Sequence, residues 1–174
     1  MKQIQDQEFL NFCLFAVYTG LRSGEIIRLT WQDIDNPQDF IRISPKQKNR
    51  LESRVPINKH VRKILNQQQI KHMDRIFRFN GVTWISQKFK KAAIKANLPD
   101  IRFHDLRHTF ASHLAMSGEN LKVIQELMRH ESISSTLVYA KVSPEHLKKA
   151  SERIDYKIKT QVKKPYRNRT VSSD

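Results

Sequence analysis

The sequence predicts an α+β domain, mainly helical with one small antiparallel β-sheet. Across most of the 174 residues apolar side chains recur at intervals of three and four, the helical period. Residues 40–57 break that period and read as two extended runs on either side of a polar segment. Hydrophobic residues make up 39% and charged residues 28%, the balance of a chain long enough to bury one core. The domain is expected over residues 1–160, with 161–174 a basic, frayed tail.

The first helix is expected over residues 5–18, with Phe9, Phe12, Cys13, Ala16 and Val17 on one apolar face and Thr19-Gly20 breaking it. Ser23 is placed as the N-cap of a second helix, with Glu25 in its first turn and Ile26, Ile27 and Leu29 behind. Phe40, Ile41 and Ile43, then Val55 and Ile57, flank the polar residues 46–53, a β-hairpin with a long basic tip. A short helix follows over 59–68. Residues 81–98 give a turn and a helix carrying Phe89, Ala92, Ala93 and Ile94. Phe103, Leu106, Phe110 and Leu114 space an amphipathic helix closed by Ser117-Gly118. Asn120 caps the next, in which Val123, Ile124, Leu127 and Met128 face inward. Ser143-Pro144-Glu145 starts a last helix, with Ser as cap and Pro in the first turn.

Lys and Arg number 32 against 17 Asp and Glu, a net charge of +15. Such a surplus points to a polyanionic partner, most often nucleic acid. By charge alone a ribosomal-type or membrane-surface protein fits as well. Cys13 is the only cysteine, which excludes a disulfide framework and a Cys-based zinc site and suits a cytoplasmic setting. The N-terminus does not read as a signal peptide, and no apolar run approaches the roughly 18–20 residues of a membrane span. There are no internal repeats. Four glycines argue against a Gly-rich phosphate loop.

Within His104-Asp105-Leu106-Arg107-His108, Leu106 belongs to the core stripe, so Arg107 lies about 100° around the helix from it. His104 and Arg107 are three apart and share one side, where imidazole and guanidinium can grip one phosphate. Alone, such a pair is more often a surface His beside a solvated Arg. Zinc on His104, His108 and His113 has no carboxylate or Cys at a recognised spacing, so no metal is expected. Arg22 stands at a turn before a helix N-terminus, where an anion is favoured, though alone it reads as a solvated loop arginine. Lys46, Lys48, Arg50 and Arg54 make the hairpin basic, a DNA-facing or solvated surface. His130 ends a helix and Tyr139 follows nine residues later, beside Ser134-Ser135-Thr136. Of the other tyrosines, Tyr18 belongs to the first apolar face, and Tyr156 and Tyr166 lie in the charged C-terminal region.

In order, these are Thr19-Gly20-Leu21-Arg22-Ser23-Gly24-Glu25, a basic hairpin, His104-Asp105-Leu106-Arg107-His108-Thr109 and Leu127-Met128-Arg129-His130-Glu131-Ser132-Ile133-Ser134-Ser135-Thr136-Leu137-Val138-Tyr139-Ala140. Over roughly residues 5–150 the chain resembles the catalytic domain of tyrosine recombinases, the phage integrase family. The resemblance implies Arg22 and Arg107 as phosphate-clamping arginines, His104 and His130 as the active-site histidines and Tyr139 as nucleophile. Lys48 takes the place of the hairpin lysine, or Lys46 if the hairpin register shifts. Glu25 matches the acidic residue that supports the first arginine, and Lys46, Arg50 and Arg54 are expected against DNA.

The implied reaction is cleavage and rejoining of duplex DNA through a 3′-phosphotyrosyl bond, without cofactor or metal, by protomers that assemble as tetramers through the C-terminal helix. The setting implied is the cytoplasm of a bacterium, at the nucleoid, with the gene bacterial or phage-borne. A DNA-binding regulator without catalysis and a type IB topoisomerase-like enzyme are the rival readings. Two features depart from the family's pattern. Arg129 stands where Gly usually precedes the second histidine, a position that strains Arg if it needs φ > 0. No separate helical DNA-binding domain precedes the catalytic helix, so the chain is expected to be an excised domain or a truncated gene product.

Overall fold

The computed structural model describes residues 4, 6–44, 53–69, 74–130, 132–139 and 152. All but the last belong to one compact unit, Met1–Lys141; a second, Val142–Asp174, is described only at residue 152. Lys46, Lys48 and Arg50 at the hairpin tip, the helix expected from Ser143-Pro144, Tyr156, Tyr166 and the basic tail lie outside the described residues.

The elements are α1 (Gln7–Thr19), α2 (Ser23–Arg28), a 3-10 turn (Trp31–Asp33), β1 (Ile34–Asp35), β2 (Phe40–Ile43), β3 (Ser53–Pro56), α3 (Lys59–Gln69), α4 (Val82–Lys95), α5 (Asp105–Met116), α6 (Leu121–Met128) and α7 (Ser134–Leu137). The strands form one antiparallel sheet in the order β1-β2-β3, with Ile41 opposite Val55 and Arg42 opposite Arg54. Ile41, Ile43 and Val55 are buried while Arg42 and Arg54 are exposed, the alternation of a sheet with one wet face. The fold is the mainly helical α+β arrangement expected, with β1 added to the predicted hairpin. Two residues are too few to show an alternation in sequence.

The core is built around α1. Asp6 caps it, its carboxylate accepting from the N–H groups of Glu8 and Phe9. Phe9, Phe12, Cys13 and Ala16 are fully buried, as is Phe15. Phe12 meets Phe77 at 5.3 Å, Phe79 at 5.2 Å and Phe103 at 5.4 Å between ring centroids. The Phe77 and Phe79 pairs are edge-to-face and add about 0.5–1.5 kcal/mol each beyond their buried area. Burial pushes the Cys13 thiol up to about 12, so it stays protonated and inert. No helix among the described residues is long and apolar enough to cross a membrane.

Three expectations are corrected. Arg22, not Ser23, is the N-cap of α2: the Glu25 carboxylate accepts its backbone N–H at 2.7 Å. Val123 is 43% exposed, because Ile124 and Met128, one turn apart, set the inward stripe of α6 and leave Val123 at its edge. Ile94 is 53% exposed for the same reason, with Ile85, Phe89 and Ala93 facing inward on α4.

Gly20 ends α1 at φ 65°, and a Cβ there would stand 2.5 Å from Phe110 Cδ1. Gly20→Ala is expected to destabilise the fold by about 2 kcal/mol, from left-handed strain and overpacking together. A urea midpoint matching wild type would reject the close approach.

Candidate functional site

Chain segments far apart in sequence meet at one cavity, among them the α1–α2 junction, the start of α5 and the end of α6. At the first, the left-handed turn at Gly20 drops Leu21 into the core, 1% exposed, and turns Arg22 outward. The Arg22 side chain is 49% exposed, and its Nη1 donates to Glu25 Oε1 at 3.1 Å. Burial alone would raise the Glu25 pKa. Arg129, the Arg22 N–H, and the Arg22 and Arg107 guanidiniums outweigh that and hold it below its ordinary value.

On α5, Phe103 and Leu106 anchor the helix start and Arg107 follows them into the interior, 3% exposed. Its Nη1 donates to Gly20 O and its Nη2 to Met128 O. The guanidinium thus joins the end of α1 to the end of α6, where unpaired carbonyls and the helix dipole favour a cation. Burial, then the Arg22 and Arg129 cations, push its pKa down to about 9, which leaves it charged at neutral pH. His104 and His108, a turn apart on the exposed side, have ring centroids 4.9 Å apart, edge to face.

At the end of α6 the His130 N–H closes on Gln125 O at 3.1 Å and the Arg129 N–H on Glu126 O at 3.0 Å, a Schellman turn. Arg129 takes φ 53° within it, a left-handed conformation costing an L-residue about 1–2 kcal/mol. His130 Nδ1 lies 2.9 Å from the buried Thr136 Oγ1, which leaves Nε2 for a ligand. Past α7, Tyr139 packs with Ala111, Ile124 and Met128, and its Oη lies 2.5 Å from His108 Nδ1. Burial raises the Tyr139 pKa, with Arg107 opposing. Burial also lowers the pKa of His104, helped by His108, Arg107 and Arg22, and that of His130, helped by Arg107, Arg22 and Arg129.

The cavity encloses about 1370 Å³. Among the described residues its lining includes Arg22, Arg28, Lys90, Lys91, Arg102, Arg107 and Arg129 against a single carboxylate, Glu25, with His104 and His130 beside them. Such a wall attracts an anion. Ser44 and Ser53, on either side of the undescribed residues 45–52, also line it. Arg54 faces away from the core on β3, its Nη1 on Gln38 Oε1 at 3.0 Å. Tyr139 is held at His108 and is not among the lining residues. His104, His108 and His113 make no metal cluster among the described residues. His108 escaped the sequence reading except as a zinc candidate. Its spacing, four after His104 and one after Arg107, was the available signal.

A family model described as the phage integrase family matches residues 2–146. The chain is 34% identical over 158 residues to an integrase of Salmonella phage P22, covering 81% of this chain and 41% of that protein. It is 35% identical over 136 residues to a tyrosine recombinase of Thermosipho africanus, covering 72% and 47%. The chain therefore spans less than half the length of these two curated relatives. Its fold is similar to the catalytic domain of bacteriophage HP1 integrase, at TM-score 0.60 and 26% identity, covering 86% of this chain and 93% of that one. It is also similar to the Tn1549 transposon integrase in complex with circular intermediate DNA, at TM-score 0.72 and 21% identity, covering 84% and 58%.

Proposed function

The chain belongs to the phage integrase family, and from that premise we propose that it cleaves and rejoins duplex DNA at specific sites, with Tyr139 as the nucleophile. The observation that carries this reading is the meeting of Arg22, His104, Arg107 and His130 at one cation-lined cavity, from segments up to about a hundred residues apart. Solved relatives include an integrase and a recombinase bound to DNA.

In the proposed reaction the scissile phosphate sits against Arg22, the free N–H donors of Arg107 and His130 Nε2. With the Thr136 hydroxyl donating to His130 Nδ1, 2.9 Å away, the imidazole would carry its proton on Nε2, facing the phosphate. Tyr139 Oη gives its proton to His108 Nδ1 and bonds to phosphorus, and the bond to the 5′-oxygen breaks. Lys48 protonates the leaving 5′-oxygen. It follows Ser44 by four residues, a reach of at most about 14 Å from the cavity rim. His104 packs on His108 and lines the cavity, placed to pass that proton on. One ester replaces another, so the step is reversible, and a 5′-hydroxyl of a second duplex completes the exchange. Arg54 with Lys46 and Arg50 binds the flanking backbone.

The test is a nicked suicide duplex. Wild type should accumulate a covalent 3′-phosphotyrosyl adduct. Binding without an adduct favours a DNA-binding regulator, and relaxation of supercoils without exchange favours a topoisomerase-like enzyme. His108→Ala is expected to slow adduct formation about a hundredfold or more without weakening binding, the usual scale for losing a general base. Adduct formation at the wild-type rate would remove His108 from the reaction.

Exchange between two duplexes takes four protomers in this proposal, acting in the cytoplasm at the nucleoid, with the segment from Ser143 packing on a neighbour. Truncation after Ala140 should abolish DNA-bound assembly; a truncated chain that still forms tetramers on DNA contradicts that packing.

A further inference from the structure

Gly20 O accepts from two guanidiniums, Arg107 and Arg129, and the reaction proposed above uses only the first. The Arg129 side chain is 9% exposed. Its Nη1 donates to Leu127 O at 2.8 Å, and its Nη2 to Glu25 Oε2 at 3.0 Å and Gly20 O at 3.4 Å. One side chain therefore joins the end of α6 to the end of α1 and to the first turn of α2.

Glu25 is the shared partner. Its Oε2 accepts from both Arg129 and the Arg22 N–H, and its Oε1 accepts from Arg22 Nη1. Without Arg129, only Arg22 among the described residues would hydrogen-bond that carboxylate, and the Arg22 side chain is half exposed with many rotamers to sample. With Arg129 in place one oxygen is pinned, so the other is a fixed acceptor for the Arg22 guanidinium. The same residue precedes His130 in the Schellman turn, so the pull of its side chain toward Glu25 also sets the backbone that carries His130.

Resting on the recombinase reading, we propose that Arg129 is a positioning residue for strand cleavage, holding Arg22 through Glu25 and His130 through the chain. It lies in the cavity wall with both Nη atoms committed to protein acceptors. It is therefore a brace for the phosphate site, while Arg22 is a ligand of it.

The test uses the full chain and nicked duplexes selected from a randomised pool by binding to wild type. At saturating duplex, R129G is expected to form adduct 10- to 100-fold more slowly, with duplex affinity and its salt slope unchanged. Glycine suits the left-handed turn, so this variant keeps the backbone conformation while losing the brace. R129K, which can reach one acceptor but cannot fork between several, should recover part of the rate. The double variant E25Q/R129G should be no slower than the slower single one, as for residues acting through one contact.

Adduct formation by R129G at the wild-type rate overturns the inference. So does a salt slope reduced by about one phosphate contact, which would make Arg129 a DNA ligand. Rate losses that track melting temperature across R129G and R129K would reduce it to a structural residue and overturn it too. If wild type binds the duplexes and forms no adduct, the recombinase reading fails and the inference falls with it.

Discussion

Tyr139→Phe is expected to abolish the covalent adduct on a suicide duplex, a loss of roughly ten-thousandfold or more, while duplex affinity should stay within about twofold. The substitution removes one oxygen and nothing else. The ring keeps its packing against Ala111, Ile124 and Met128, and among the described residues the hydrogen bond lost is the one at His108, worth about 1 kcal/mol at a partly exposed position. The cationic cavity proposed to hold the DNA backbone is untouched, since Tyr139 does not line it. Chemistry and binding should therefore separate cleanly. The other described tyrosine, Tyr18, is stacked on His60 at 4.4 Å and has no place in the cavity. An adduct that persists in Tyr139→Phe, mapped by peptide sequencing, would name a different nucleophile and sink the assignment.

The two arginines that sequence places in one role are in physically different situations, and spacing could not have shown it. The period of three and four fixed Arg107 beside Leu106, about 100° around α5. Whether that direction met solvent depended on where α1 and α6 end, at Gly20 and Met128, 87 and 21 residues away. Arg129 was visible as a non-glycine where φ > 0 was suspected, and it has φ 53°. Its partner Glu25 lies 104 residues away, and no local pattern links them. Buried helix faces were legible where several apolar residues agreed, as on α1. They were not where one apolar residue sat at a stripe edge, as Val123 and Ile94 do. The irregular stretch holding Ile76 and Phe77, both fully buried, has too few residues to show any period.

That physical difference yields a second separation, between activity and stability. Arg22→Ala should slow adduct formation by about a hundred- to a thousandfold, the loss expected when one fixed donor to a developing charge is removed. Its fold should hold to within about 1 kcal/mol. The Arg22–Glu25 pair is half exposed on the arginine side, and the N–H that Glu25 accepts belongs to the backbone and survives the change. Arg107→Ala should lose activity as completely but also unfold early. Its guanidinium is buried, and its removal strands Gly20 O and Met128 O, acceptors that cost about 1–3 kcal/mol each when left unpaired. Taking about 3 kcal/mol in all, because Arg129 still reaches Gly20 O, the melting temperature should fall by roughly 6–12 °C. Thermal unfolding of both variants without DNA decides the matter. If Arg107→Ala melts with wild type, the guanidinium is not the staple between α1 and α6, and Arg107 is free to act as Arg22 does. If Arg22→Ala melts as low as Arg107→Ala is expected to, its pair with Glu25 holds the fold and its loss of activity could not be credited to the phosphate.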